Sequence, residues 1–309
     1  LFHRISTPVL VVSNPQFLPF FCVLFRWRIK NQLVLKITDL YPDTLEELGI
    51  LSEKGLVASL WRYVNYFIFL KMDSIIVLGR CMRDRLLKSM PKLSSERIHR
   101  VDLWCGKPIL NFRQSSNKFI TDWDLKNKFV LLYSGNLGRV HDIKSILDCA
   151  RLLKDFDSIV FLFVGKGYQY SYISEYIQSY DLRNCLIKSF VSYDDLPELL
   201  HCADLGIVSL KIGHEGCSVP SKLWSLMGAG VPILSLADPF SEISLVVNDY
   251  QCGLCVKPGD VDALKASILS FYNDSSLSDR SGQLAKQACI DHFSIEKAAQ
   301  SYIDLLFRV

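Results

Sequence analysis

Short runs of Val, Ile and Leu alternate along the chain with longer stretches in which apolar residues recur every three or four positions. The short runs predict buried strands and the longer stretches predict helices, and their alternation predicts parallel sheets covered by helices on both faces. In the first part, strands are expected at 8–13, 33–38, 74–78 and 98–103. Residues 111–127, NFRQSSNKFITDWDLKN, interrupt the rhythm with polar residues of no clear period and read as a linker. A second series follows, with strands at about 129–133, 159–164, 185–189, 205–210, 232–236 and 253–256. Between the first two of these, DIKSILDCARLLKDF places Ile143, Ile146, Leu147, Ala150 and Leu153 on one helical face, with Asp142 as its N-cap.

The pattern divides the chain into a partial N-terminal domain (1–110), the linker (111–127), a C-terminal domain (128–290) and a last helix (291–309) expected to pack back toward the N-terminal domain. Six strands complete one doubly wound domain, whereas the first part supplies four and opens abruptly on PVLVVSN. The expectation is an α/β chain of two Rossmann-like domains facing a cleft, the first incomplete because the N-terminal part of a longer protein is missing. Doubly wound sheets bind ligands beyond the carboxyl ends of their strands, so function is sought in the loops after strands.

Three such loops stand out. After FVLLYS, the turn GNLGRVHD has Gly135 and Gly138 for close backbone approach, with Asn136, Arg139 and His141 as donors beside a helix start that would suit phosphate. After the strand ending at Val164, VGKGYQY carries Gly165 and Gly167 but has Tyr170 in place of the third glycine of a dinucleotide fingerprint, which disfavours a nicotinamide dehydrogenase. The stretch HEGCSVPSKLWSLMGAGVPIL places Pro220 in the first turn of a helix that closes at Gly230, with Pro232 opening the next strand. Free N–H groups around Ser221 to Leu223, together with Lys222, would make an anion site there. Gly213 and Gly216 let the loop pack closely. Glu215 would oppose a phosphate and is read as an acceptor for sugar hydroxyls, its alternative being an ordinary solvated loop acid.

Composition changes this picture little. The chain has 309 residues, half of them apolar, and a formal charge of +3, which argues for globular domains and gives no case for a nucleic-acid partner. Arg26, Arg28, Lys30, Arg80, Arg83, Arg85 and Lys88 concentrate positive charge in the first third. Ten scattered cysteines fit a reducing cytoplasm, and Cys252 and Cys255 lack the second pair a metal site needs, so they read as small residues flanking a strand. FLPFFCVLFRWRIK is too short to span a bilayer. It reads either as a core helix with a basic end or as an amphipathic helix placing Phe20, Phe21, Leu24, Phe25 and Trp27 in a membrane surface. LWRYVNYFIFLK, 60–71, offers the same choice and is read as core.

Taken in order, YSGNLGRVHD, FLFVGKG, LLHCADLGIVSL, HEGCSVPSKLWSLMGAGVPIL, PFSEISLVV and CGLCVKPGD resemble the nucleotide-binding half of GT-B glycosyltransferases of the large retaining family 4. Their flavour is that of the group building bacterial capsule, O-antigen or exopolysaccharide units. VVSNPQFLPF and KITDLYPDTLEELGIL resemble the acceptor domain of that family. The resemblance implies transfer of a sugar from a nucleotide diphosphate, foremost a UDP-sugar, to a saccharide or polyprenyl-linked acceptor, with retention at the anomeric carbon. It implies no metal and no cofactor, and a cytoplasmic enzyme at the inner face of the plasma membrane. Gly135, Asn136, Gly138, Arg139, Ser221 and Lys222 would then hold the donor diphosphate, and Gly165, Gly167, Gly216 and Glu242 the nucleotide and sugar.

The sequence departs from the family pattern in specific places. The second Glu of its Glu, seven residues, Glu motif is replaced, counting from Glu215, by Leu223. Asn136 and His141 stand where an Arg and a Lys are usual, with Arg139 and Lys222 nearby. Thr38 occupies the position of an acceptor-site His, followed by Asp39, which is read either as a catalytic partner of the acceptor hydroxyl or as a helix cap. The acids of DWD (122–124) and DFD (155–157) read as solvated rather than as a metal site. A nucleotide-sugar 2-epimerase of the same architecture, and a non-catalytic truncated nucleotide-sugar-binding protein, stay open beside transfer.

Overall fold

The computed structural model describes residues 7–29, 31–112 and 117–307, so Lys30 and part of the expected linker lie outside the described residues. The chain forms two compact units. The first gathers the residues up to Leu103, the segment Gly213–Val219 and the stretch from Glu296 onward, and the second comprises Trp104–Ile212 and Pro220–Ile295.

The first unit holds a parallel sheet of β1 (Val9–Val12), β2 (Leu33–Lys36), β3 (Ser74–Val77) and β4 (Ile98–Arg100), paired in that order. Strands β2 and β3 are almost wholly buried, which is why they read as unbroken apolar runs. Leu305, on the helix Ile295–Leu306, closes a small core with Val34, Ile76 and Val101. The helix Leu56–Lys71 corrects the reading of 60–71 as core. Ala58, Ile68 and Phe69 are buried, yet Leu60, Tyr63 and Phe67 face solvent, because periodicity marks an apolar face without saying whether anything covers it. The helix Leu18–Leu24 likewise buries Pro19 and Val23 and exposes Phe21 and Leu24. No helix among the described residues is long and apolar enough to cross a membrane.

The second unit is built on six parallel strands: β5 (Phe129–Ser134), β6 (Ile159–Val164), β7 (Cys185–Lys188), β8 (Leu205–Ser209), β9 (Ile233–Leu236) and β10 (Gly253–Val256). Their spatial order is β10-β9-β8-β5-β6-β7. From β5 the chain winds outward through β6 and β7, then returns to pair β8 with the other side of β5. That reversal is a topological switch point, and it opens a crevice beyond the carboxyl ends of β5 and β8. The core below includes Leu131, Tyr133, Ile146, Phe161, Phe163 and Leu234. Asp142 does cap the helix Ile143–Leu152, accepting the Ser145 N–H at 3.2 Å.

Candidate active site

Two loops at the switch point are locked together through backbone. After β5, the Gly135 N–H donates to Val164 O at 2.9 Å and the Leu137 N–H to Lys166 O at 2.9 Å. Gly135 has φ +119° and Gly165 φ +152°, and a Cβ on Gly165 would lie 1.9 Å from Gly135 O. Only glycine fits at 165, so the loops after β5 and β6 meet with no side chain between them. Gln169 secures the far side, its Nε2 donating to Gly138 O at 2.5 Å and to His141 O at 3.1 Å.

The polar groups expected on the first loop take different directions. The Arg139 guanidinium lies over the Tyr168 ring, its central carbon 3.6 Å from the ring centroid. His141 is buried, with Nδ1 2.6 Å from Ser209 O, and so faces inward between β5 and β8, away from the anion-facing role that its place beside the helix start predicts. Asn136 accepts, through its backbone carbonyl, the Tyr133 hydroxyl at 3.3 Å.

The helix after β8 runs from Lys222 to Gly228 with Ser221 as N-cap, so Pro220 precedes the helix instead of opening it. The Leu223 N–H donates to Pro220 O at 3.4 Å, and the Leu223 side chain is fully buried. Lys222 is the group without a counterpart. The side chain as a whole is half-buried, but its Nζ is shut off from solvent, has no hydrogen-bond partner and sits 3.5 Å from the centroid of the buried Tyr133 ring. Burial pushes this ammonium well below the usual lysine range and pushes the Tyr133 hydroxyl up.

Lys222 and Gly135 line a cavity of about 290 Å³ that continues between Phe190, Tyr193, Leu196 and Leu200. No carboxylate lines it. A larger cavity, about 490 Å³, lies among Phe129, Asp204, Pro232 and Lys286. It opens at the amino ends of β5, β8 and β9, where doubly wound sheets do not bind their ligands, and the smaller cavity is the better candidate. Glu242, in the first turn of the helix after β9, is fully buried.

Asp39, Glu215 and Gly216 belong to the first unit. Both carboxylate oxygens of Glu215 accept the Gly213 N–H, each at 3.0 Å. Gly216, at φ +75°, presses against the chain at Cys81, where a Cβ would come 2.5 Å from the Cys81 carbonyl oxygen. Asp39 bridges Ser218 in an isolated antiparallel pair, and the Leu40 N–H donates to Cys217 O at 2.7 Å. Burial raises the Asp39 carboxyl above its usual range, with the Thr38 hydrogen bond opposing the shift.

Arg85 ties this loop down, a role that the basic clustering in the sequence does not reveal. Its guanidinium donates to Gly213 O at 2.8 Å and Glu215 O at 3.2 Å while meeting Asp43 at 3.0 Å and Glu47 at 2.7 Å. Burial alone would lower its pKa, and the two carboxylates more than reverse that. The structure thus collects Gly135, Asn136, Gly138, Arg139, Gly165, Gly167, Ser221, Lys222 and Glu242 in one unit and Asp39, Glu215 and Gly216 in the other.

Comparison with known proteins adds the family. The model of the family described as glycosyl transferases group 1 matches residues 115–288. The chain is 27% identical over 305 residues to a probable glycosyltransferase of Pseudomonas aeruginosa, WbjE, covering 96% of this chain and 74% of that protein. It is 27% identical over 243 residues to a putative colanic acid biosynthesis glycosyl transferase of Escherichia coli, WcaI, covering 76% of this chain and 58% of that one. Anabaena HepE, solved with UDP and glucose, matches in fold with a TM-score of 0.80 at 15% identity, covering 97% of this chain and 78% of its own.

Proposed function

Since the chain belongs to the glycosyl transferases group 1 and is a transferase of GT-B-like fold, we propose that it is a retaining family 4 enzyme moving a sugar from a UDP-sugar to a saccharide or lipid-linked acceptor. The site of action in this reading is the inner face of the plasma membrane, in cell-surface polysaccharide synthesis. The observation that carries the proposal is Lys222: a solvent-excluded ammonium without a partner, at a switch-point cavity that has no carboxylate. Burying a lone cation is costly, and an anion entering the cavity removes the penalty. A nucleoside diphosphate supplies that charge. In the transfer step the bond between the anomeric carbon and the diphosphate oxygen breaks, and a bond to the acceptor oxygen forms on the same face of the sugar as the acceptor loses its proton. Negative charge grows on the leaving diphosphate, and in this reading Lys222 stabilises it.

Glu215 takes the donor sugar hydroxyls in this reading. Its carboxylate is oriented by the Gly213 N–H and keeps lone pairs for further donors. Asp39 receives the acceptor hydroxyl, and a buried carboxyl with a raised pKa suits a proton acceptor. Glu242 holds part of the nucleotide. The names of WbjE and WcaI and the UDP and glucose of HepE support the direction of the reading. Calorimetric titration with UDP, GDP and ADP tests it: UDP should bind, and Lys222→Met should weaken that binding. If none of the three nucleotides binds to the folded protein, the donor site is misassigned.

A further inference from the structure

The Lys222 amine rests on a ring that is itself held in place. Tyr133, near the carboxyl end of β5, is 1% exposed. Its hydroxyl donates to Asn136 O at 3.3 Å, and the His141 ring stands across it at 75° with centroids 5.8 Å apart. Phe163, its partner in register on β6, lies 6.2 Å away by the same measure. Over this ring the Lys222 Nζ stands 3.5 Å from the centroid. The Gly135 turn borders the same amine, since a Cβ on Gly135 would come 3.5 Å from Lys222 Cε and 3.8 Å from Nζ.

A ring face attracts a cation through its quadrupole, and the attraction grows where water is excluded. It supplies no lone pair to the three N–H donors of a charged lysine, so it steadies the charge without satisfying it. A carboxylate in the same place would saturate the lysine, as Asp43 and Glu47 saturate Arg85, and would then repel an arriving diphosphate. The neighbouring ionisable groups are engaged elsewhere or carry no negative charge toward the amine. His141 turns Nδ1 to Ser209 O, and Glu198, on the helix Leu196–Leu200 beside the cavity, accepts the Lys118 N–H. Tyr193 lines the cavity, and burial is the cause that acts on the Lys222 pKa.

We propose that Tyr133 is a positioning residue for the transfer reaction: its ring face holds the Lys222 amine at the switch point and favours its charged form until a nucleoside diphosphate takes that charge over. The proposal deepens the function given above and rests on it for the identity of the anion. A ring suits the task because it competes weakly with phosphate oxygens, whereas an ordinary aliphatic core residue would give the amine no support at all.

The test compares Tyr133→Phe with a chain carrying a ring-fluorinated phenylalanine at position 133, each with and without Lys222→Met. Fluorine drains electron density from the ring face while nearly keeping its shape, so the core stays filled. By calorimetry, Tyr133→Phe should bind UDP within about threefold of wild type. The fluorinated ring should bind it about tenfold more weakly than Tyr133→Phe. With Lys222→Met in place the two rings should bind UDP alike, because the ring acts through the amine. Urea unfolding against pH reads the same coupling without ligand. The rise of stability with pH that Lys222 produces should begin at a lower pH with the fluorinated ring, whose weaker face lets the amine lose its proton sooner. Equal UDP affinity for the two rings, a loss that persists in Lys222→Met, or coincident unfolding profiles would each overturn the proposal and leave Tyr133 as core packing. If wild type binds no nucleotide, the donor assignment fails, and the unfolding profiles still decide whether the ring supports the amine.

Discussion

Arg85 and Lys222 are two basic groups withdrawn from water, and the seven-residue segment Gly213–Val219 lies between them in sequence but within the unit of Arg85. Arg85 is saturated, with two carboxylates and two backbone carbonyls around its guanidinium. Lys222 has an aromatic face and no hydrogen-bond partner. A cation whose partners are all supplied by the chain is part of the architecture. One that no chain atom partners is, under the proposed function, where the donor diphosphate would bind. On that reading the contrast separates a region that the fold completes by itself from one that the substrate would complete.

The sharpest way to break the comparison is to remove each cation. Lys222→Met should lower transfer by about 100-fold or more, the range for losing one group that stabilises a leaving charge. It should leave folding stability unchanged or raise it by about 1 kcal/mol, since an isolated buried charge is replaced by an apolar chain of similar length. Steady-state kinetics and urea unfolding of the same preparation check both halves. Equal loss of stability and activity would make Lys222 an ordinary structural residue.

Glu215→Ala comes next. The carboxylate touches its own loop only through the Gly213 N–H, so transfer should fall by about 100-fold while the melting temperature moves by a few degrees at most. Near-normal turnover would remove Glu215 from the site. Arg85→Met should show the reverse of Lys222→Met. Two carboxylates and two carbonyls lose their donor, and the denaturant midpoint should shift by the equivalent of about 2–3 kcal/mol, reduced from the fully buried case because the side chain is 23% exposed.

The smallest effect concerns protons. With its pKa held well below the lysine range by burial, Lys222 is the proton-poor member of the pair. Between that depressed value and the usual value of about 10.4, the unfolded chain holds a proton that the folded chain lacks, so stability rises with pH across this window. The stability advantage of Lys222→Met should therefore shrink as pH climbs toward 10. A bound diphosphate favours the charged amine and draws its pKa back up. UDP binding at neutral pH should therefore take up a fraction of one proton, detectable as a buffer-dependent heat that vanishes in Lys222→Met.

Much of this arrangement is legible along the chain. Buried parallel strands write themselves as continuous apolar runs, and β6 matches the expected 159–164 because nothing polar intrudes on either face. Asp142 is recognisable as a cap because its function is local. What stays hidden is non-local. The grip of Arg85 on Gly213 spans 128 positions, and no spacing rule connects them. The outward turn of Leu56, Leu60 and Tyr63 escapes detection because an apolar stripe looks the same whether a core or a solvent lies opposite. Nor does the sequence distinguish His141, turned to the Ser209 carbonyl, from a loop histidine that faces a ligand.

The allegiance of Gly213–Val219 bears on how the molecule can be dissected. A gene fragment spanning Trp104 to Ile295 carries this segment away from the Cys81 carbonyl, the Leu40 amide and the Arg85 guanidinium that shape it. A fragment ending at Leu103 keeps those three groups and loses what they hold. No single pair of cuts yields both halves intact. An expression clone of the second unit would need a short engineered bridge in place of residues 213–219, and that clone could test UDP binding but not the contribution of Glu215.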